Sequence, residues 1–141
     1  MISKNVEKFK KNLEKRLISN PNSNSLNLVD RATRIVQNTA QESIKKKGTG
    51  RTYTRGDISH TASASGQPPA TDTGFLGQNI TMKVSVESNG SVVGQIISAA
   101  PYSKALEFGT TQMDARPFMQ PALEKNKRKI LTMFKKEGMV K

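Results

Sequence analysis

The stretch "FLGQNITMKVSVESNGSVVGQIISAA", Phe75 to Ala100, decides how this chain folds. Ile80, Met82, Val84 and Val86 alternate with Thr81, Lys83 and Ser85. A period of two predicts a half-buried strand, read here from Phe75 onward. "SNG" at Ser88 to Gly90 reads as a tight turn, and "SVVGQIISAA" returns as an apolar tract around Gly94. The two segments together predict a β-hairpin.

Upstream, Val29, Ala32, Val36, Ala40 and Ile44 recur at helical spacing, with Leu28 and Ile35 beside them. A helix over Leu28 to Lys46 follows, with Asn27 as N-cap and Gly48 as stop. Lys45, Lys46 and Lys47 then sit at the negative end of its dipole. Residues 20–27, "NPNSNSLN", read as a break, because Pro21 disfavours helix at Asn20 and Asn and Ser compete for backbone hydrogen bonds. Before the break, Ile2, Val6, Phe9, Leu13 and Leu17 form a narrow apolar stripe, one residue per turn. Residues 1–19 therefore read as an amphipathic helix or arm that lies on something else. Its apolar residues are spaced and not continuous, so it is not read as a secretory signal.

Downstream, "YSKALEFG" reads as one or two helical turns ended by Gly109. "ARPFMQPALEKNKRKILTMFKKEG" reads as a terminal helix, with Pro117 and Pro121 at its entry and first turn, where a missing N–H costs little. Phe118, Ala122, Leu123, Ile130, Met133 and Phe134 supply its apolar side. Residues 46–74 show no apolar period and predict a long structureless loop, about 47–71, of the kind that orders on a partner. The fold class expected is α+β: a small antiparallel sheet built on a central hairpin, packed by a long helix and the terminal helix. Residues 20–141 would form one such domain.

The chain carries 23 Lys plus Arg against 11 Asp plus Glu, a net charge of +12. The plain reading of that excess is a solubilising surface; the functional one is attraction to polyanions. Two clusters compete for it. Lys45, Lys46, Lys47, Arg51 and Arg55, with Tyr53 between them, form a candidate docking or DNA-facing loop, since cations with an interleaved aromatic can grip nucleic acid. Lys125, Lys127, Arg128, Lys129, Lys135 and Lys136 spread around the terminal helix and read as a solvated face.

Catalytic readings find little support. There is no cysteine, and His60 is the single histidine, which excludes thiolate and multi-histidine metal sites. A Ser–His–Asp set assembled from Asp57 and His60 would lie in a flexible loop unable to hold a base in place. "GTGR" lacks Walker spacing, and "RGD" at Arg55 to Asp57 reads as coincidence. No cofactor, metal or catalytic residue is assigned. No apolar run approaches the ~20 residues of a membrane span, so no membrane partner is expected.

Three stretches in a fixed order carry a resemblance: "ASASGQPPATDTGFLGQNI", "PYSKALEFGT" and "ARPFMQPALEK". Together they resemble a family of long-tailed bacteriophage neck proteins, the head–tail joining, tail completion or minor tail components. The matching positions are Pro68, Pro69, Asp72, Thr73, Gly74 and Leu76, then Tyr102, Glu107, Phe108, Gly109 and Thr110, then Arg116, Pro117, Phe118, Pro121 and Ala122. They span roughly residues 60–125. Family members often carry Arg or another polar residue after Asp-Thr-Gly; here it is Phe75.

The resemblance implies a non-enzymatic virion protein at the neck or head-proximal end of the tail, assembled in the host cytoplasm. Its partners would be other copies of itself in a hexameric ring, the tail tube and head-connector proteins, and DNA in the channel. From the residues themselves, Asp72 and Thr73 are expected to shape a turn, with Gly74 aiming the next strand. Tyr102 and Phe108 are expected to pack a short helix onto the sheet. Glu107 is expected to form an ion pair with Arg116 or a subunit contact. The alternative reading is a basic nucleic-acid-binding module, which explains the charge but not the ordered motifs.

Overall fold

The computed structural model describes residues 23–138. The helix or arm expected over residues 1–19 lies outside them. The order of elements is α1 (Ser23–Ile44), β1 (Thr52–Arg55), β2 (Ile58–Thr61), α2 (Phe75–Gln78), β3 (Ile80–Val86), β4 (Val92–Ser98), α3 (Ser103–Phe108) and α4 (Met119–Lys136). Strands pair only as two antiparallel hairpins, β1–β2 and β3–β4, among the described residues. The fold is α+β, as expected.

The helix α1 organises the molecule. It packs on both strands of the β3–β4 hairpin and against α4. Its buried face is Leu28, Ala32, Thr33, Val36, Ala40 and Ile44, four-residue steps on one side of a 3.6-residue helix. Alanine at 32 and 40 keeps that face shallow and lets the helix lie close on its neighbours. Gln37 and Gln41 each donate to the Ile80 carbonyl, at 2.9 and 3.3 Å, and fix where β3 begins under the helix.

The core is one cluster in which Val36, Ala40 and Ile44 meet Leu76, Ile80, Ala100, Phe118 and Ala122. Phe118, just before α4, is among the most buried large side chains.

Several local expectations are corrected. Helix α1 starts at Ser23 and ends at Ile44, so Asn27 lies within it and is no cap. Pro21 restricts its own φ and the residue before it, so it does not prevent Ser23 to Asn27 from starting the helix, where Asn24 and Asn27 are exposed. Gly48 does not stop the helix through a left-handed residue; the Thr71 N–H closes its end by donating to the Ile44 carbonyl at 2.9 Å. A Cβ at Gly48 would collide with the Ala62 carbonyl, so glycine there permits close approach of two backbone segments.

The strand starts at Ile80, not Phe75, because Phe75–Gln78 forms a turn of helix that buries Leu76. On α4, Leu123 is 52% exposed and the buried positions are Ala122 and Asn126; Asn126 Nδ2 donates to Thr39 Oγ1 at 2.9 Å and to the Ala122 carbonyl at 2.8 Å. The bend between α3 and α4 aims the 118, 122, 126 row at α1 in place of Leu123.

The largest correction concerns residues 47–71. They contain the β1–β2 hairpin, with Thr52 opposite Thr61 and Arg55 opposite Ile58. "RGD" is its turn: Gly56 adopts φ 58° between the paired Arg55 and Ile58. Both faces of β1 are exposed, so the strand has no apolar alternation to read.

Candidate functional site

The three motif stretches converge on one corner, and Glu107 is its centre. It sits on α3, which Gly109 ends with φ 75° and an N–H donated to the Ala105 carbonyl at 2.8 Å. A Cβ at Gly109 would lie 2.9 Å from Met113 O and Ala115 N, so the turn needs glycine both for its dihedral and for its space. Thr110 pairs with Met113 across that turn, which reverses the chain toward α4.

After the reversal the Glu107 carboxylate meets the start of α4. Oε2 accepts from the N–H groups of Phe118 at 2.9 Å and Met119 at 3.0 Å, and Oε1 accepts from Gln120 N–H at 2.9 Å. Phe118 at the N-cap position has no capping side chain of its own. The donors lacking an intrahelical partner at this end are those of residues 118–121. Glu107 takes three of them, and Pro121 has no N–H to satisfy. A negative charge at this end also suits the helix dipole.

Glu107 is therefore a helix cap supplied from another element. The expected ion pair with Arg116 is corrected: all of Glu107's hydrogen-bonding partners among the described residues are backbone N–H groups. Arg116 instead donates Nε to the carbonyl of buried Ser63 at 3.3 Å, while its N–H bonds the Leu106 carbonyl at 2.6 Å. The Gly66 N–H donates to Ala115 O at 3.0 Å alongside. Arg116 thus ties the segment after β2 to the entry of α4. Pro69 and Phe118 are buried beside half-buried Pro68 and Pro117, which stiffen the two segments that meet there.

At the Asp72-Thr73-Gly74 turn, Thr71 and Thr73 accept backbone N–H groups, from Gly74 at 2.9 Å and Phe75 at 3.4 Å. Gly74 adopts φ 79°. Asp72 instead faces the β1–β2 hairpin, 3.9 Å from Arg55 and 3.8 Å from His60 Nδ1. Arg55 and Asp72 are open to solvent and His60 is half-buried, and pairs at this separation contribute little stability.

Tyr102 and Phe108 do not pack α3 onto the sheet. Phe108 is 73% exposed and Tyr102 46% exposed, and Leu106 packs against the core in their place. On a helix this short, Leu106 facing in turns Phe108, two positions on, away from the core. Tyr102 pairs with exposed Phe75, ring centroids 6.2 Å apart. The result is three outward aromatic side chains near the corner that Glu107 holds: the paired Phe75 and Tyr102, and Phe108. The sequence reading gave Phe75 to the strand and missed its pairing with Tyr102; an apolar side chain directly after Asp72-Thr73-Gly74 was the available signal.

The cationic set projects separately. Lys45, Lys46, Lys47, Arg51, Tyr53 and Arg55 are all exposed, at the end of α1 and along β1. The Arg51 guanidinium lies over the Tyr53 ring, 5.4 Å from its centroid. The terminal-helix cations are exposed as well. Among the described residues, no group of three or more His, Asp or Glu side chains is placed to hold a metal ion, and no helix is long and apolar enough to cross a membrane.

A scan of family models, a search of curated proteins and a search of solved structures find no match to this chain.

Proposed function

We propose that this chain is a structural assembly subunit of a long-tailed phage neck or tail terminus. It would form a ring with copies of itself and join the tail tube to the head connector without catalysing a reaction. The observation that carries this reading is the exposed Phe108, on the same short helix as the capping Glu107. A scattered surface Phe is ordinary. Phe108, 73% exposed on the helix whose Glu107 is held by three backbone N–H groups, and the separate exposed Phe75–Tyr102 pair are apolar surface that favours being covered. A closed ring needs two different faces on each subunit, and the surface around Phe108 is one candidate.

The test is Phe108→Asp. With so exposed a side chain, stability should change by no more than ~0.5 kcal/mol. Rings seen by electron microscopy should be lost, and particles carrying the variant should accumulate as unjoined heads and tails. Normal rings and normal particles from the variant would remove Phe108 from the proposed contact and the reading with it.

A second reading is favoured by the exposed cations around β1, which suit a phosphate backbone running past the hairpin. Neutralising about five phosphates predicts that log K falls against log salt with a slope of about −3.5 on single strands and −4.5 on duplex DNA. Replacing Arg51 and Arg55 with alanine should make the slope shallower by about 1.5 to 2. A flat salt response, or no binding to short DNA at low salt, would leave an acidic protein ring as the partner of the hairpin.

A further inference from the structure

We infer that the outer edge of β4 takes up an extended segment of a partner protein as a third, antiparallel strand, laid in the apolar groove between that edge and α4. The inference goes beyond the neck reading and stands or falls independently of it. The groove encloses about 750 Å³. Val92, Gly94 and Ile96 of β4 form one wall, Leu123 and Phe134 of α4 the other, and Val29 of α1 lies behind them. Leu123 is 52% exposed, so the core leaves this apolar wall open.

The β3–β4 ladder fixes which backbone groups face outward. The Glu87 N–H donates to the Ser91 carbonyl at 2.8 Å, and the Ala99 N–H to the Asn79 carbonyl at 2.9 Å. Bonded and unbonded pairs alternate along an antiparallel ladder, so the bonded pairs between them are Thr81–Ile97, Lys83–Gln95 and Ser85–Val93. Val92, Gly94 and Ile96 therefore turn their N–H and C=O groups away from β3. Where β3 begins and β4 ends, the outward carbonyls are taken: Ile80 by Gln37 and Gln41, and Ser98 by Ser103 Oγ at 3.5 Å. The outward groups of Val92, Gly94 and Ile96 have no partner among the described residues. Natural edge strands resist pairing through proline, charge or a bulge. Ser88 to Ala100 contains no proline and no charged residue, and the register with β3 runs unbroken.

These features define the occupant. A row of unpaired donors and acceptors recognises an extended backbone, not a helix, whose own groups are already paired. In antiparallel addition, the residues that bond Val92, Gly94 and Ile96 point their side chains to the same side of the sheet, toward α1 and α4. Those alternate side chains must be apolar to match the walls. A run of about five residues, ~17 Å long, covers the open row. A second copy supplies no such strand among the described residues. Its β3 and β4 carry α1 on that side and would bring this helix against α4. Its β1–β2 hairpin is bare, but the residues with outward backbone groups there are Thr52, Thr54, Ser59 and Thr61, all hydroxyl-bearing.

A labelled synthetic peptide ITMKVSV, the sequence of β3, is the probe, since it alternates apolar residues and already suits β4. One form is N-methylated at its Met and two Val residues, the other at its Thr, Lys and Ser. Each keeps one edge able to pair, so neither stacks into fibrils. Fluorescence anisotropy with the full chain reads the affinity. The form methylated at Thr, Lys and Ser should bind. The form methylated at Met and Val should bind at least ~10-fold more weakly, because it loses the donors that face β4. The opposite order would mean exchange with β3, which bonds β4 through its Thr81, Lys83 and Ser85 positions, and overturns the inference. Leu123→Asp should weaken binding at least ~10-fold with the unfolding midpoint unchanged, since the side chain is exposed. Phe108→Asp, which tests the ring, should bind the peptide as the parent chain does. Equal binding of the two forms, binding of neither, or indifference to Leu123→Asp each overturns the inference. Self-association of the parent chain that the peptide displaces would give the groove to a second copy, and overturns it as well.

Discussion

Glu107→Ala should cost about 3 kcal/mol and lower the midpoint of thermal unfolding by roughly 10 °C. The carboxylate accepts three backbone N–H groups at 2.9 to 3.0 Å, and the two on Phe118 and Met119 are partly buried. A hydrogen bond to a charged group contributes about 1.5–3 kcal/mol, and losing an ordinary N-cap costs about 1 kcal/mol. The bonds share one side chain and are not additive, which sets the estimate between one such bond and the sum of three. Frayed α4 residues would also loosen Phe118, which joins the core at that point.

Glu107→Gln separates charge from shape. Its single carbonyl oxygen can accept two of the three N–H groups, while its amide N–H₂ opposes the third, so about half the loss should return. Arg116→Ala should not reproduce the Glu107→Ala loss, because Arg116 bonds Ser63 and not Glu107. Urea unfolding of the three variants decides the matter. Equal losses for Glu107→Ala and Arg116→Ala, with Glu107→Gln no better, would restore the ion pair and remove the cap.

Gly94→Val should cost a similar amount, about 3 kcal/mol, through overpacking. Gly94 on β4 faces α1, and any Cβ there would overlap Thr33 Oγ1 and approach Val29 Cγ1 to 3.0 Å. Thr33 cannot swing away freely, since it is buried and donates Oγ1–H to the Val29 carbonyl at 2.6 Å. The glycine lets the helix settle on the sheet.

A double-mutant cycle isolates the contact. Gly94→Ala alone should cost about 2 kcal/mol, and in a Thr33→Ala background at least 1 kcal/mol less, because the overlapping oxygen is gone. Additive losses would mean that glycine serves the strand and not the helix–sheet approach.

The legible parts of this protein were those in which one buried face repeats along one element. The β3 alternation, the α1 stripe and the Gly109 stop all imprint on neighbouring residues, so a short window suffices to read them. The β1–β2 hairpin left no such imprint, because β1 is exposed on both faces and nothing forces alternation. Its β-branched content and the Gly56 turn were the remaining signals. Leu123, expected on the apolar side, lies exposed while Asn126, to which no place was assigned, is buried, because an apolar period fixes a face only to within a residue or so.

Composition and spacing were enough for the α+β class, the order of most elements, the need for glycine at 74 and 109, and the cationic character of the surface. These follow from backbone sterics and periodic burial, which act within a few residues. The choice of partner for Glu107, the outward turn of Tyr102 and Phe108, and the fit of Gly94 under Thr33 required the folded molecule. Each depends on groups distant in the chain arriving side by side. A carboxylate takes whichever unsatisfied donors the fold brings within 3 Å, and here they were the bare N–H groups of a helix start, closer to hand than any opposite charge among the described residues.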